Sequence, residues 1–346
     1  MQAVDNKDRP RIAVVGCGAI GGLLAARLIA AGHNIQIIER GTQLRALQRN
    51  GLLLCAADGE PLVQVPVEAT DSFDCGAQDL VLLAVKSQQI PAIARQLGTI
   101  MHPETLLVTL QNGLPWWYFQ RHGGAYEGQR LTCVDPEGVI SRHIDPAHLL
   151  GCVAYPAAEV QSPGVIRHIE GDRFPLGELD QTESARAQWV GRLLVSAGFK
   201  APPLADIRSE IWLKLWGVLA FNPISMLTRA TMQDICRCEP TRSLAAQMMR
   251  EAQVIASKLG ITFRVPLEKR IAGAERVGAH KTSTLQDLEA GRATELEAIL
   301  GSVIELARLT DTQAPRIESV YACCKLLEQA SDRQLDYTQT SLQKIG

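Results

Sequence analysis

A glycine-rich turn between a short apolar segment and a helical pattern constrains this sequence more than any other feature. Residues 11–15 (RIAVV) predict a buried strand, and residues 22–31 predict a helix that ends at Gly32. Between them, the first glycine of a G-x-G-x-x-G turn permits a tight turn, the second lets a pyrophosphate approach, and the third allows close helix–strand packing. We expect a dinucleotide to bind here, and the alternative is a glycine turn without a ligand. The expected cofactor-binding residues of the turn are Gly16, Cys17, Gly18, Ala19, Ile20 and Gly21.

The end of the second predicted strand bears on the type of dinucleotide. Residues 34–38 (NIQII) predict that strand, and Glu39 and Arg40 follow it. An acidic side chain at this point binds the adenosine ribose of NAD, whereas an arginine accommodates the 2′-phosphate of NADP. Because the two residues are adjacent, spacing alone leaves NADPH and NADH both open.

Further strands predict a parallel sheet with polar residues at its carboxyl edge. Residues 51–67 read as a β-hairpin, whereas residues 80–85 and 106–110 are apolar runs typical of buried parallel strands. Lys86 and Asn112 follow these two strands, at the edge where ligands bind in open α/β sheets. We expect Lys86 to contact a phosphate or ribose and Asn112 to contact nicotinamide or substrate. A solvated lysine and a turn asparagine are the alternatives.

The second half of the chain changes character. Residues 115–150 predict a long loop or insertion that begins with four consecutive aromatic residues, and Trp116 and Trp117 are candidates to cover a substrate pocket. Strands return at 151–153 and 165–168, and a helix is predicted at 185–197. Beyond Pro202 only helical patterns follow, at 207–220, 244–259, 284–309 and 317–329. The fold class is therefore an α/β dinucleotide-binding domain, residues 1–205, followed by an all-α domain, residues 206–346.

Composition excludes several other classes of protein. The formal charge of the 346 residues is −2, so no basic excess indicates nucleic acid or an anionic membrane. The longest apolar stretch, residues 215–227, is shorter than the roughly 20 residues of a membrane span. The polar residues 1–10 do not resemble a signal peptide, so we expect a cytoplasmic protein. The nine cysteines are odd in number and lack zinc-site spacing, which argues against a disulfide framework and a metal site.

The helical half contains a lysine in an apolar setting. Lys214 lies between two tryptophans in the segment SEIWLKLWG, and burial there would lower the pKa of its ammonium group and suit it to general-acid catalysis. Val218 and Asn222 share its helix face, and Pro223 predicts a kink or break that would free Asn222 to face a ligand. The alternative is a lysine whose charged end reaches solvent.

A second helical segment holds the remaining candidates. Ser283 and Thr284 begin a predicted helix, with Thr284 and Asp287 fitting a capping box. Glu295 reads by itself as a surface glutamate on the same helix.

Taken in order, these motifs resemble one family along nearly the whole chain. They are GCGAIG at 16–21, Arg40, VKS at 85–87, QNG at 111–113, SEIWLKL at 209–215, NP at 222–223 and KTSTLQDLEAGRATELE at 281–297. The sequence is similar to the ketopantoate reductase (2-dehydropantoate 2-reductase) family. The resemblance implies a Rossmann domain, a helical domain and an active site in the cleft between them. It also implies NADPH-dependent reduction of 2-dehydropantoate to (R)-pantoate, a step towards pantothenate and coenzyme A.

The same resemblance implies a role for each candidate residue. Lys214 would donate the proton to the keto oxygen, and Glu295 would lie at the junction of cofactor and substrate. Arg40, Lys86, Asn112 and the backbone of Ala158 would hold the cofactor. The substrate would be bound by Asn112, Asn222 and Ser283.

Three features depart from the family pattern. Val218 stands where the family usually has a second asparagine, the aromatic loop at 115–150 is long, and Glu39 adjoins Arg40. A related reductase of a more apolar 2-oxo acid, with NADPH or NADH, is therefore the alternative. A non-catalytic dinucleotide-binding regulator is a minor alternative, and a homodimer through the helical domain is compatible with the apolar C-terminal helices.

Overall fold

The chain forms two compact units in the computed structural model, which describes residues 10–343, with side chains as far as residue 331. The first unit comprises Met1–Arg130 and Asp135–Glu210, and the second comprises Leu131–Val134 and Ile211–Gly346. The predicted boundary near residue 205 lies just before a long helix, whereas the compact units divide within that helix. The predicted absence of a signal peptide concerns residues 1–10, of which residues 1–9 lie outside the described part.

The first unit contains eleven strands among its described residues. They are β1 (Ile12–Val15), β2 (Ile35–Ile38), β3 (Leu52–Cys55), β4 (Pro61–Val65), β5 (Glu68–Thr70), β6 (Gln78–Leu83), β7 (Met101–Thr109), β8 (Leu149–Cys152), β9 (Ala157–Ser162), β10 (Val165–Glu170) and β11 (Leu176–Gly177). Seven form one sheet in the order β11-β8-β7-β6-β1-β2-β5, and all its pairs are parallel except β8–β11. The carboxyl ends of β1, β2, β6 and β7 therefore meet at one edge, as the apolar runs predicted.

The other four strands form a second sheet in the order β4-β3-β10-β9. The predicted hairpin at 51–67 is confirmed as the antiparallel pair β3–β4. β9 and β10 form a second hairpin around Gly164, and β10 also pairs in parallel with β3. The sequence patterns missed β9 because its exposed, mixed side chains carry no apolar signal.

Eleven α-helices occur in the described part of the chain. They are α1 (Ala19–Ala30), α2 (Gly41–Asn50), α3 (Ile90–Leu97), α4 (Ala185–Ser196), α5 (Ile207–Thr228), α6 (Met232–Arg237), α7 (Glu239–Lys258), α8 (Leu267–Arg276), α9 (Ser283–Glu289), α10 (Ser302–Leu309) and α11 (Pro315–Gln343). A π-helical segment, Glu297–Gly301, directly precedes α10. α2, α6 and α8 were not predicted, although the capping box of Thr231 and Asp234 marks the start of α6.

Of the kink or break predicted at Asn222 and Pro223, the break is wrong. α5 runs through Pro223 to Thr228. A proline inside a helix costs about 3 kcal/mol because it removes a hydrogen bond and crowds the preceding turn. Here Leu219, Ile224 and Met226 are at most 2% exposed, so tertiary burial on both sides of the proline offsets this cost. By length and composition α5 could cross a bilayer, but 72% of its most apolar window is buried inside the protein.

The predicted continuous helix at 284–309 is also wrong. α9 ends at Glu289, and Gly291 takes a φ of +62°, which a glycine adopts without strain. The side chain and backbone carbonyl of Asp287 both accept hydrogen bonds from Arg292, which close this turn. The capping residue of α9 is Thr282, whose hydroxyl accepts a hydrogen bond from the Leu285 N–H, so the predicted Thr284–Asp287 box is wrong as well.

The four consecutive aromatic residues at the start of the 115–150 segment, residues 116–119, are buried in the first unit. Trp117 is 1% exposed, and its indole N–H donates to the Thr109 hydroxyl of β7 at 3.0 Å. The buried guanidinium of Arg208 donates to the carbonyls of Tyr118 and Gln120 at 2.7 and 2.8 Å. Trp116 is 3% exposed. Both side chains are thus buried, and the Trp117 ring packs against β7, so neither supports the expectation of a cover over a substrate pocket.

Candidate functional site

The glycine turn between β1 and α1 is held by backbone contacts. The Gly16 N–H donates to the Ile38 carbonyl at 2.9 Å, and Gly16 has a φ of +93°. A Cβ added at Gly21 would lie 1.9 Å from the Gly16 carbonyl oxygen. The first and third glycines of the motif are therefore required by the protein's own packing.

Gly18 differs from the other two glycines of the motif. It caps α1 with extended backbone angles and without a side-chain hydrogen bond, and the first turn of α1 has no acidic residue. A Cβ added at Gly18 would meet no protein atom within 4 Å. The N–H groups of this first turn, which includes Ala19 and Ile20, can thus be approached by an anion, and the helix dipole favours negative charge there. The turn fits the pyrophosphate of a dinucleotide.

Glu39 connects the end of β2 to the glycine turn. Its carboxylate accepts hydrogen bonds from the Cys17 N–H at 2.6 Å and from the Arg40 N–H at 2.8 Å. Complete burial of the Cys17 thiol and the nearby Glu39 charge raise the pKa of that thiol to about 12. Cys17 therefore remains a neutral packing residue, and Arg40 lies exposed at the N-terminus of α2.

Gln43 is a part of this region that the sequence reasoning missed. Its amide nitrogen donates to the Cys17 carbonyl at 2.7 Å, and its amide oxygen accepts from the Gly164 N–H at 3.0 Å. The side chain thus links the glycine turn to the β9–β10 hairpin. The one sequence feature that could have indicated Gln43 is its position three residues after Arg40. Ala158, the predicted cofactor neighbour, lies on β9 opposite His168 and packs on the core that includes α1.

Lys86 and Asn112 follow β6 and β7 at the same sheet edge as the glycine turn. The Lys86 N–H donates to the Gln89 side chain at 3.0 Å, which shapes the start of the next helix. Gln111 donates to the carbonyls of Leu83 and Val85 at 2.7 and 2.9 Å, and Gly113 has a φ of +82°. Both predicted residues are half-buried. The first unit thus groups all its predicted cofactor residues along one edge of the sheet and the adjoining hairpin.

In the second unit, α5 carries the predicted catalytic lysine. Lys214, Val218 and Asn222 are spaced four residues apart on this continuous helix, so they lie along one stripe of its surface. The amide nitrogen of Asn222 donates to the Thr284 hydroxyl at 3.1 Å and to the Ser283 hydroxyl at 3.4 Å. The structure therefore brings the predicted substrate residues Asn222 and Ser283 together, and it adds Thr284, which sequence reasoning had placed in a cap.

Aromatic packing holds the Lys214 turn of α5 in place. Phe263 stacks on Trp216 with ring centroids 4.2 Å apart and meets Trp212 edge-on at 6.4 Å. The Trp216 indole N–H donates to the Met249 carbonyl of α7 at 2.7 Å. Lys214 itself is half-buried. Aromatic packing thus anchors the turn of α5 that carries Lys214.

Glu295 lies in the turn between α9 and the π-helical segment. Its carbonyl accepts the Ile299 N–H at 3.1 Å, and its residue is half-buried rather than on the solvated helix face that was expected. π-helical segments occur frequently at functional sites. Within the described residues, His, Cys, Asp and Glu side chains form no group of three that could hold a metal ion.

Comparison with known proteins identifies the family of this chain. Residues 12–181 match the family model described as "Ketopantoate reductase PanE/ApbA", and residues 206–328 match "Ketopantoate reductase PanE/ApbA C terminal". The chain belongs to the ketopantoate reductase family. This confirms the resemblance and the predicted fold class, an N-terminal Rossmann-type α/β domain with a C-terminal helical domain.

Individual members of the ketopantoate reductase family agree with this assignment. A 2-dehydropantoate 2-reductase of Mesorhizobium japonicum is 48% identical over 92% of this chain and 97% of its own length. A crystal structure of a candidate ketopantoate reductase from Ralstonia solanacearum MolK2 has a TM-score of 0.88 and 37% identity, covering 93% of this chain and 98% of its own.

A third structure shares the fold at lower identity. It is the ternary structure of D-mandelate dehydrogenase with NADH and anilino(oxo)acetate, with a TM-score of 0.80 and 18% identity over 93% of this chain and 99% of that one. The fold is thus shared by proteins named for different substrates, and the fold alone does not select one.

Proposed function

We propose that this chain is a 2-dehydropantoate 2-reductase that uses NADPH to form (R)-pantoate on the route to pantothenate and coenzyme A. The observation that carries the proposal is the stripe of α5 on which Lys214 is followed two turns later by Asn222, hydrogen-bonded to Ser283. Together with the 48% identity to the Mesorhizobium enzyme, this polar set supports a 2-oxo acid as substrate.

Lys214 is the proposed proton donor. Reduction of a ketone at carbon 2 builds negative charge on its oxygen, and a positioned ammonium group both stabilises that charge and supplies the proton. The bound nicotinamide supplies the hydride. Trp212, Trp216 and Phe263 fix the backbone turn that carries Lys214, so the attachment point of the proposed donor is already in place when substrate binds.

The remaining polar residues bind and orient the two ligands. Ser283, exposed at the start of α9, and the Asn222 amide would hydrogen-bond the substrate. We assign Asn112 to nicotinamide and substrate, and Glu295 to the junction of cofactor and substrate. Lys86 and the backbone of Ala158 are assigned to the cofactor. The N–H groups after Gly18 would bind the pyrophosphate.

The preference for NADPH rests on the different roles of Glu39 and Arg40. The two carboxylate oxygens of Glu39 already accept backbone N–H groups, which directs this side chain towards the glycine turn. Arg40 is exposed at the N-terminus of α2, where its guanidinium and the helix dipole both favour a 2′-phosphate. NADPH is therefore the proposed cofactor, with NADH as the alternative.

The first experiment is a reduction assay with 2-dehydropantoate and either NADPH or NADH, followed by loss of reduced-nicotinamide absorbance. The proposal predicts a kcat/KM of at least about 10⁴ M⁻¹s⁻¹ with NADPH. A higher kcat/KM with NADH would instead give Glu39 the deciding role. Tight NADPH binding without turnover on any 2-oxo acid would favour a non-catalytic regulator.

A reductase of a more apolar 2-oxo acid is the second candidate, favoured by Val218. This half-buried side chain cannot donate or accept a hydrogen bond where the family usually has asparagine. Phenylglyoxylate, assayed beside 2-dehydropantoate, tests this candidate, because a higher kcat/KM for the aromatic acid would select it.

The proposed setting is the cytoplasm, with a small-molecule substrate and with neither nucleic acid nor membrane as a partner. A homodimer through the helical domain is also proposed. Light scattering coupled to gel filtration measures the mass, and a monomer at micromolar concentration would refute the dimer.

A further inference from the structure

A glycine in the middle of α5 points to a residue outside the set considered so far. Gly217 is buried in a 22-residue helix, where glycine is about 1 kcal/mol less favourable than alanine. A Cβ added there would lie 3.0 Å from a terminal guanidinium nitrogen of Arg270 and 3.3 Å from its Cζ. The planar guanidinium of Arg270 therefore lies directly against the backbone of α5 at Gly217.

Arg270, a residue of α8, is held against α5 by the packing of the segment that precedes it. Arg270 lies in the first turn of α8, seven residues after Phe263, which stacks on Trp216. The Arg270 N–H donates to the Pro266 carbonyl at 3.1 Å, so the turn that carries this arginine is closed. The aromatic stack and the start of α8 together hold the guanidinium beside the Lys214 turn.

The spacing of Lys214 and Gly217 along α5 suits a 2-oxo acid. Lys214 and Gly217 are three residues apart, which corresponds to about 4.5 Å along a helix. In a 2-oxo acid the carboxylate is bonded directly to the keto carbon, so the groups that bind the two must be close neighbours. A guanidinium binds a carboxylate through two parallel hydrogen bonds.

We propose that Arg270 is a specificity-determining residue that binds the substrate carboxylate, and that Gly217 admits its guanidinium to the Lys214 turn. This inference rests on the proposed reduction of a 2-oxo acid. It also accounts for Val218, because a charged group for the carboxylate replaces a hydrogen bond that the usual asparagine would make. Arg270 thus selects an acid over its neutral ester, whichever 2-oxo acid is the substrate.

The test compares a charged substrate with a neutral one that has the same ketone. Wild type, Arg270→Gln, Arg270→Lys and the control Arg276→Gln are assayed with 2-dehydropantoate and with its lactone. Arg276 is an exposed arginine of the same helix. We expect Arg270→Gln to raise KM for the acid about 10- to 100-fold, the value of a hydrogen bond to a charged group, and to change KM for the lactone less than about 3-fold. Arg270→Lys should recover part of the loss, and kcat should change less than KM.

Gly217→Ala gives a second and independent variant. The added methyl group should displace the guanidinium and raise KM for the acid, with little effect on the lactone. Its control is Gly273→Ala, because a Cβ at Gly273 would approach Arg276 no closer than 3.9 Å. Equal losses on acid and lactone, or no loss on either in a variant that melts within 2 °C of wild type, would overturn the proposal.

Calorimetric titration with (R)-pantoate and with pantolactone separates this inference from the proposed reaction. If the wild type binds (R)-pantoate but does not reduce 2-dehydropantoate, the proposed function fails, and the change in Kd in Arg270→Gln still decides the role of Arg270. If the wild type reduces 2-dehydropantoate but Arg270→Gln binds (R)-pantoate normally, the inference alone fails. If the wild type binds the acid no better than the lactone, the inference also fails.

Discussion

Replacing Gly21 by alanine separates the structural glycines of the turn from the ligand-binding glycine. The new Cβ would lie 1.9 Å from the Gly16 carbonyl oxygen and 2.9 Å from the Ala84 Cβ. Real Cβ atoms do not approach closer than about 3.0 Å, so α1 must move away from β1 by about 1 Å in a close-packed interior. Because the first of these contacts is with backbone, no side-chain rotation can relieve it.

The cost follows from the packing around this position. Overpacking a core typically costs 1–3 kcal/mol, and a backbone contact this short puts Gly21→Ala at about 3 kcal/mol or above. For a unit of about 200 residues each kcal/mol lowers the melting temperature by about 2–4 °C, so we expect a decrease of about 6–12 °C. Differential scanning calorimetry without ligand measures it.

Gly18→Ala is the matched control. Its Cβ would meet no protein atom within 4 Å, and Gly18 has a negative φ that alanine also adopts. We expect its melting temperature to stay within about 3 °C of wild type, since replacing a capping glycine costs about 0.5 kcal/mol. The methyl group would instead obstruct the approach to the helix N-terminus, so titration with NADPH should give a Kd about 10- to 100-fold higher. If Gly21→Ala melts like wild type, or if Gly18→Ala binds NADPH normally, our account of the turn is refuted.

Three further predictions concern separate parts of the chain. Lys214→Ala should lower kcat about 10²- to 10⁴-fold at an unchanged Kd for NADPH, and wild-type turnover would exclude Lys214 as the proton donor. Arg40→Ala should raise KM for NADPH at least about 10-fold and leave KM for NADH unchanged, and equal effects on both would remove the assignment of the 2′-phosphate. The fold raises the pKa of Cys17 from 9.0 to about 12, so the unfolded chain loses this proton first and stability falls as pH rises above 9. Below pH 9 the thiol is neutral in both states and does not change stability with pH. Native protein at pH 8 should therefore react with thiol reagents at the exposed Cys238 and Cys323 while Cys17 stays unmodified, and rapid Cys17 modification seen by peptide mass spectrometry would contradict this assignment.

Local patterns predicted the parts of the fold that depend on neighbours in sequence. The glycine turn, the β3–β4 hairpin and the parallel strands before Lys86 and Asn112 each carry their signal within about ten residues. The Schellman-type end of α1 is another example, in which the His33 N–H donates to the Leu28 carbonyl and Gly32 takes a positive φ. In each of these cases, the conformation of a short segment is set by residues of that same segment.

Two of the incorrect predictions concern residues whose conformation depends on tertiary packing. Pro223 predicted a kink or break, but burial on both sides keeps α5 continuous. Trp117 was placed over a pocket, but its partner Thr109 lies in the core. A sequence pattern indicates neither the burial around Pro223 nor the contact of Trp117 with Thr109, because both arise only when the chain has folded.

The sequence by itself determined the dinucleotide turn, the change from α/β to helical structure and the order of motifs that marks the family. The tertiary structure alone decided which side chains meet: Glu39 and Gln43 at the glycine turn, Asn222 with Ser283 and Thr284, and Arg270 at Gly217. The physical reason is that propensity, capping and glycine conformation act within one or two turns of the chain. Hydrogen bonds and packing between distant residues form only when the chain folds, because bringing those residues together costs conformational entropy.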